Sequence, residues 1–132
     1  MTVTFDAETL VEELVADNDP PYLHVGMADE DGRQYLMLHR SQPFGDAEDW
    51  GVYVEVNDQR YSGYDCISSG QLSAGRMLVR MSKPLGGGNP IESVEVKFDP
   101  SRQPSREWIA RLRAIFTGRE HLLRVRDGDG AA

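Results

Sequence analysis

Apolar and polar residues alternate in run after run through the middle of the chain. In "YLHVGMA" (22–28) Leu23, Val25 and Met27 share one side of an extended backbone, while Tyr22 and His24 share the other. "RQYLMLHR" (33–40) repeats the pattern, with Leu36 and Leu38 on one side and Tyr35 and His39 opposite. "DEDG" (29–32) between them is a hairpin signal. "GVYVEV" (51–56) places Val52, Val54 and Val56 inward, with Tyr53 and Glu55 outward. "GRMLVRMS" (75–82) places Met77, Val79 and Met81 inward, with Arg76 and Arg80 outward. "ESVEVKF" (92–98) places Val94, Val96 and Phe98 inward, with Glu95 and Lys97 outward. Such strict alternation predicts an antiparallel sheet with one wet face.

The two ends read differently. "PSREWIARLRAIFTG" (104–118) carries Trp108, Ile109, Leu112, Ile115 and Phe116 at helical spacing, with Pro104 suited to a first turn and Gly118 to a stop. This helix is expected to cover the dry face of the sheet, and "HLLRVR" (121–126) to return as an edge strand. At the start, Ala7, Leu10, Val11, Leu14 and Val15 fit a helix capped by Asp6, yet Val3, Phe5, Ala7, Thr9 and Val11 also alternate. Periodicity leaves that segment open between helix and strand. "DNDPP" (17–21) and "KPLGGGNP" (83–90) are breaks rich in turn residues. The fold expected is α+β: a mainly antiparallel β-sheet with a C-terminal α-helix packed on one face. One domain over residues 1–125 is expected, with 126–132 a frayed tail.

Charge changes the picture more than overall composition does. The chain of 132 residues has a formal net charge of −8, unevenly spread. Residues 1–65 hold 15 acids against 3 bases, whereas 66–132 hold 7 acids against 11 bases. An acidic balance argues against nucleic-acid binding, which depends on Lys and Arg. It suits a basic protein partner. No apolar run approaches a membrane span, and the single cysteine, Cys66, suits a reducing cytoplasm.

Candidate chemistry is thin. "ISSGQ" (67–71) is not a nucleophile elbow, and "PLGGGNP" lacks the lysine of a phosphate loop. His24 and His39 are expected as diagonal neighbours on the wet face, ~7–8 Å apart, with no third ligand for a metal. Cys66 reads as a small buried residue, since neighbouring Asp65 disfavours a thiolate. No catalytic, cofactor-binding or metal-ligating residue is assigned. Tyr22, Tyr35 and Tyr53 on the wet face are candidates for partner contact. The acids Asp29, Glu30, Asp31, Asp46, Glu48 and Asp49 are candidates for its rim. In "NDQRYSGYDCISSGQL" (57–72), Asn57-Asp58 starts a turn, Gly63 relieves the backbone and Ile67 faces the core. Gln59, Tyr61 and Tyr64 are left as further contact candidates.

Three stretches together resemble one protein family. They are "YLHVGMADEDGRQYLMLHRS", "DWGVYVEVNDQRYSGYDCISSGQLSAGRMLVRM" and "SVEVKFDPSRQPSREWIARLRAIFTG". They are similar to the opening hairpin, central signature and closing strand and helix of the tenth numbered immunity family of bacterial polymorphic toxin systems. The resemblance covers residues 20–118 and tilts the N-terminal segment towards a strand. It implies a non-enzymatic cytoplasmic protein that binds and neutralises a cognate toxin domain, a nuclease being one candidate class. It carries over no catalytic residue. A small-molecule-binding or enzymatic α+β domain using the open sheet face and its two histidines is the alternative. A homodimer through an edge strand is a further expectation.

Overall fold

The computed structural model describes residues 1–45 and 49–126. Ten strands and one α-helix are present among the described residues. The strands are β1 (Thr2–Ala7), β2 (Thr9–Val15), β3 (Tyr22–Ala28), β4 (Tyr35–Ser41), β5 (Tyr53–Val56), β6 (Asp58–Tyr64), β7 (Ile67–Ser73), β8 (Arg76–Leu85), β9 (Ile91–Phe98) and β10 (Leu123–Val125). The helix α1 spans Arg106–Ile115. The α+β reading holds, with antiparallel pairing dominant and the helix C-terminal.

The strands divide between two five-stranded sheets. The first has the order β1-β9-β8-β7-β10, and the second β2-β3-β4-β5-β6. The second is antiparallel throughout, whereas β1 and β10 add to the first as parallel edges. The ambiguous N-terminal segment supplies one strand to each sheet, with only Glu8 between β1 and β2. In β1, Val3, Phe5 and Ala7 are buried and the residues between them exposed, so the period-two pattern wins there. "HLLRVR" returns as an edge strand, β10 beside β7.

Both sheets send their alternate apolar residues into one core. Val25, Leu36, Leu38 and Val54 from the second sheet join Met77, Val79, Val94 and Val96 from the first. The helix adds Trp108, Leu112 and Ile115, with Phe116 just beyond its end, and packs against β2, β3 and β4. Each such residue contributes roughly 1.5–3 kcal/mol when fully buried. Ser105 caps the helix, its hydroxyl accepting the Trp108 N–H at 3.1 Å. Arg111 ties the helix to β2 by donating to Glu12 at 3.0 Å.

An ion pair sits inside. Arg40 follows Leu36 and Leu38 on the inner side of β4 and is 2% exposed. Its guanidinium makes two parallel 2.8 Å hydrogen bonds to Asp49. It also donates to the carbonyls of Ile115 and Thr117, at 2.9 and 2.8 Å, satisfying the C-terminal end of α1. Asp49 in turn accepts the N–H groups of Gly45 and Gly51. Hydrogen bonding from Arg40, then from these two amides, holds its carboxyl well below the usual carboxylate range despite burial. Asp49 is thus a buried structural partner and not part of a solvent-facing acidic rim. No helix among the described residues is long and apolar enough to cross a membrane.

Candidate functional site

The outer face of the second sheet gathers most of the aromatic surface. Register places His24 opposite His39, His39 opposite Tyr53, and Tyr53 opposite Tyr64. The four side chains form a row across β3, β4, β5 and β6. Ring centroids lie 4.7 Å apart for His24–His39, 5.4 Å for His39–Tyr53 and 5.1 Å for Tyr53–Tyr64. Trp50 extends the row, edge-on to Tyr64 at 5.4 Å. Tyr22 stacks on His39 from the side, at 4.7 Å. The exposed end is at Trp50, 67% accessible, and Tyr64, 45% accessible. The two histidines are direct cross-strand partners, not the diagonal pair expected from the sequence, because β3 and β4 pair residue for residue around the turn.

A second row lies beside the first: Val11, Gly26, Met37, Glu55 and Ser62. Glu55 accepts a hydrogen bond from the Tyr53 hydroxyl at 2.6 Å and another from Tyr35. Burial and then the bond to Glu55 push both phenols upward, so both stay protonated. Burial lowers the pKa of His24, against a smaller opposing pull from Glu13. His39 falls to about 4, through burial first and the neighbouring His24 second, with Glu55 opposing. Near neutral pH both histidines are therefore uncharged.

The remaining candidates scatter. Asp29 closes the β3–β4 turn, its carboxylate accepting the Gln34 N–H and its carbonyl the Gly32 N–H. Glu30 and Asp31 are exposed at the tip of that turn. Asp46 and Glu48 lie outside the described residues. Gln59 is exposed at the start of β6, on the edge of the sheet. Tyr61 points the other way, packing against the core and under Gly86, so it does not join the outer face. Trp50 went unassigned in the sequence because it precedes the alternating run and shows no period.

Cys66 is buried, and burial raises its thiol pKa, with Asp65 adding to this and Lys83 opposing. Its Sγ would lie 2.6 Å from a Cβ on Gly63, so that glycine serves close approach and not an unusual backbone angle. Among the described residues no three His, Cys, Asp or Glu side chains are placed to hold a metal. Two larger hollows lie elsewhere, one of about 540 Å3 beside Leu10, Glu12 and Trp108 and one of about 490 Å3 between Leu72, Phe98, Ile109 and Arg126. Neither lining holds a histidine, and we place the site on the aromatic face because that is where the aromatic and titratable side chains converge.

The charge imbalance of the chain survives folding. Strands β2 to β6 all come from the acidic first half, and β7 to β10 all from the basic second half. Only β1 crosses over. The outer face of the first sheet accordingly carries Arg76, Arg80, Lys97 and Arg124 against the two acids Asp6 and Glu95, among serine and threonine. No family model matches the chain, and no curated protein or solved structure was found to be similar.

Proposed function

We propose that this chain is a binding protein that holds a partner protein against the outer face of its second sheet. The observation that carries the reading is the aromatic row from His24 to Trp50, open to solvent at its Tyr64 end. Tyrosine and tryptophan bring large contact area at little entropic cost, and they are enriched where partners dock. The rings form a flat surface without a nucleophile beside a base, which favours recognition over catalysis. The resemblance of residues 20–118 supports a bacterial toxin domain as the partner, with this chain as its neutralising immunity protein in the cytoplasm. The family comparison adds no support to that choice. The acidic composition of the second sheet supports a partner with a basic surface.

Co-expression tests this reading. The C-terminal domain of the adjacent upstream gene product is expressed in a bacterium with and without this chain. Rescue of growth and co-purification are expected. Trp50→Ala and Tyr64→Ala should each weaken the complex by about tenfold or more, as loss of an aromatic anchor does. Gln71→Ala and Arg76→Ala on the first sheet should leave it intact. Rescue that survives loss of both Trp50 and Tyr64 would move the binding surface elsewhere.

A further inference from the structure

The second row of the outer face contains a gap. Gly26 lies between Val11 and Met37 and carries no side chain, so the sheet surface sinks there. The hollow measures about 230 Å3 and opens to solvent. Its floor and walls are Val11, Gly26, Met37 and Ala28, with His24 and Tyr35 at its sides. A Cβ on Gly26 would come within 3.1 Å of Val11 Cγ2 and 3.4 Å of His24 Nε2, so even one methyl group intrudes on this space. Among the described residues the other ring nitrogen of His24, Nδ1, is buried without a hydrogen-bond partner.

Size and charge together identify the occupant. An apolar cavity of ~150 Å3 is enough to admit benzene. The hollow over Gly26 thus has room for one aromatic or branched aliphatic side chain. Beside its lining stand Glu13, opposite His24 on β2, Glu55, opposite Met37 on β5, Asp58, whose charge acts on Tyr35, and the Asp29–Asp31 turn next to Gly32. A free apolar molecule would make no use of that ring of carboxylates. We propose that the hollow over Gly26 anchors one apolar side chain of a basic polypeptide segment, whose flanking Lys or Arg residues meet the surrounding acids. This deepens the binding reading above and rests on it. A second copy of the chain is the weaker occupant, because the basic outer face of the first sheet offers serine, threonine and a half-buried Leu78 in place of a protruding anchor.

A blocked pentapeptide with a central phenylalanine between two arginines on each side is the probe. Titrated into the isotope-labelled full chain, it should shift the backbone amides of Gly26, Met37 and Val11 first. A glutamate-flanked analogue and an alanine-centred analogue should each bind roughly tenfold more weakly, the scale of losing one anchor contact. Gly26→Ala should weaken the arginine peptide to a similar degree, with an unchanged melting temperature confirming the fold. Thr4→Ala on the first sheet should leave binding as it was. Shifts centred on another surface, equal binding of the glutamate peptide, or no shift at these amides would overturn the proposal. Concentration-dependent self-association abolished by Gly26→Ala would also overturn it, assigning the hollow to a second copy. The two readings fail separately: if Trp50→Ala and Tyr64→Ala abolish rescue while the peptide does not bind, the face holds a partner and the hollow is not its anchor, whereas rescue that survives both substitutions removes the partner reading whatever the peptide does.

Discussion

The two sheets are built alike inwardly and differ outwardly. Each sends valine, leucine and methionine into the same core at every second position. On the outside, the first sheet shows short polar residues and an excess of bases: Thr2, Thr4, Ser93, Gln71, Arg76, Arg80 and Lys97, with Asp6 and Glu95 as its acids. The second shows Tyr22, His24, His39, Tyr53 and Tyr64 between carboxylates. Core packing does not require this difference, since either set of outward residues permits the same interior. The outward positions are where a sheet is free to specialise, and only one of the two has spent aromatic surface on them. The second sheet also carries Arg40, the arginine of a buried ion pair, which couples it to the helix.

The sharpest test of that asymmetry sets one ion pair against another. Asp49→Asn leaves the Arg40 guanidinium buried without its counterion and should destabilise the protein by roughly 3–5 kcal/mol. Arg76→Ala breaks the pair with Glu95 on the first sheet, whose arginine is 53% exposed, and should cost only about 0–1 kcal/mol. Urea denaturation of both variants measures the gap. Equal losses would mean that Arg40 is not the tie holding sheet to helix. A smaller effect tests the join between the sheets, where β6 passes into β7. Gly63→Ala drives a methyl group against Cys66 and should cost about 1–3 kcal/mol by overpacking. The double variant with Cys66→Ala should recover part of that loss.

Alternation made the strands and their inward residues legible, because a period of two assigns faces without knowledge of partners. It carries no information on which strand lies beside which. The division into two sheets was therefore hidden, and the N-terminal segment, which serves both, read as ambiguous. Arg40 falls on the inward side by the same alternation as Leu36 and Leu38, but a lone arginine at a strand end also reads as exposed. What keeps it inside is a carboxylate nine residues later and two carbonyls some 75 residues away. The tyrosines of the outer face were legible one by one. Their joining into a row with Trp50 depends on register across four strands, and Tyr61 left the set because β6 turns it towards the core.

The histidines offer the mildest contrast, readable in solution by pH alone. Both have a folded-state pKa below the ordinary value near 6.5, His39 at about 4. His39 therefore binds fewer protons folded than unfolded between about pH 6.5 and 4, and His24 does so below the same upper limit. The stability this contributes is complete above pH 6.5 and is lost as pH falls towards 4. Melting temperature should accordingly decline from pH 7 to pH 5, before most exposed carboxylates titrate. His39→Gln should flatten that decline while changing little at pH 7, provided glutamine keeps contact with Tyr22 and Tyr53. The first sheet contributes no histidine to its strands, so Arg80→Gln there should leave the slope as it was. A slope that persists in His24→Gln/His39→Gln would place the acid sensitivity outside the aromatic row. A slope that disappears would mean that the row is held together by rings that must stay neutral. Partner binding on this face should then weaken over the same pH range as the fold loosens beneath it.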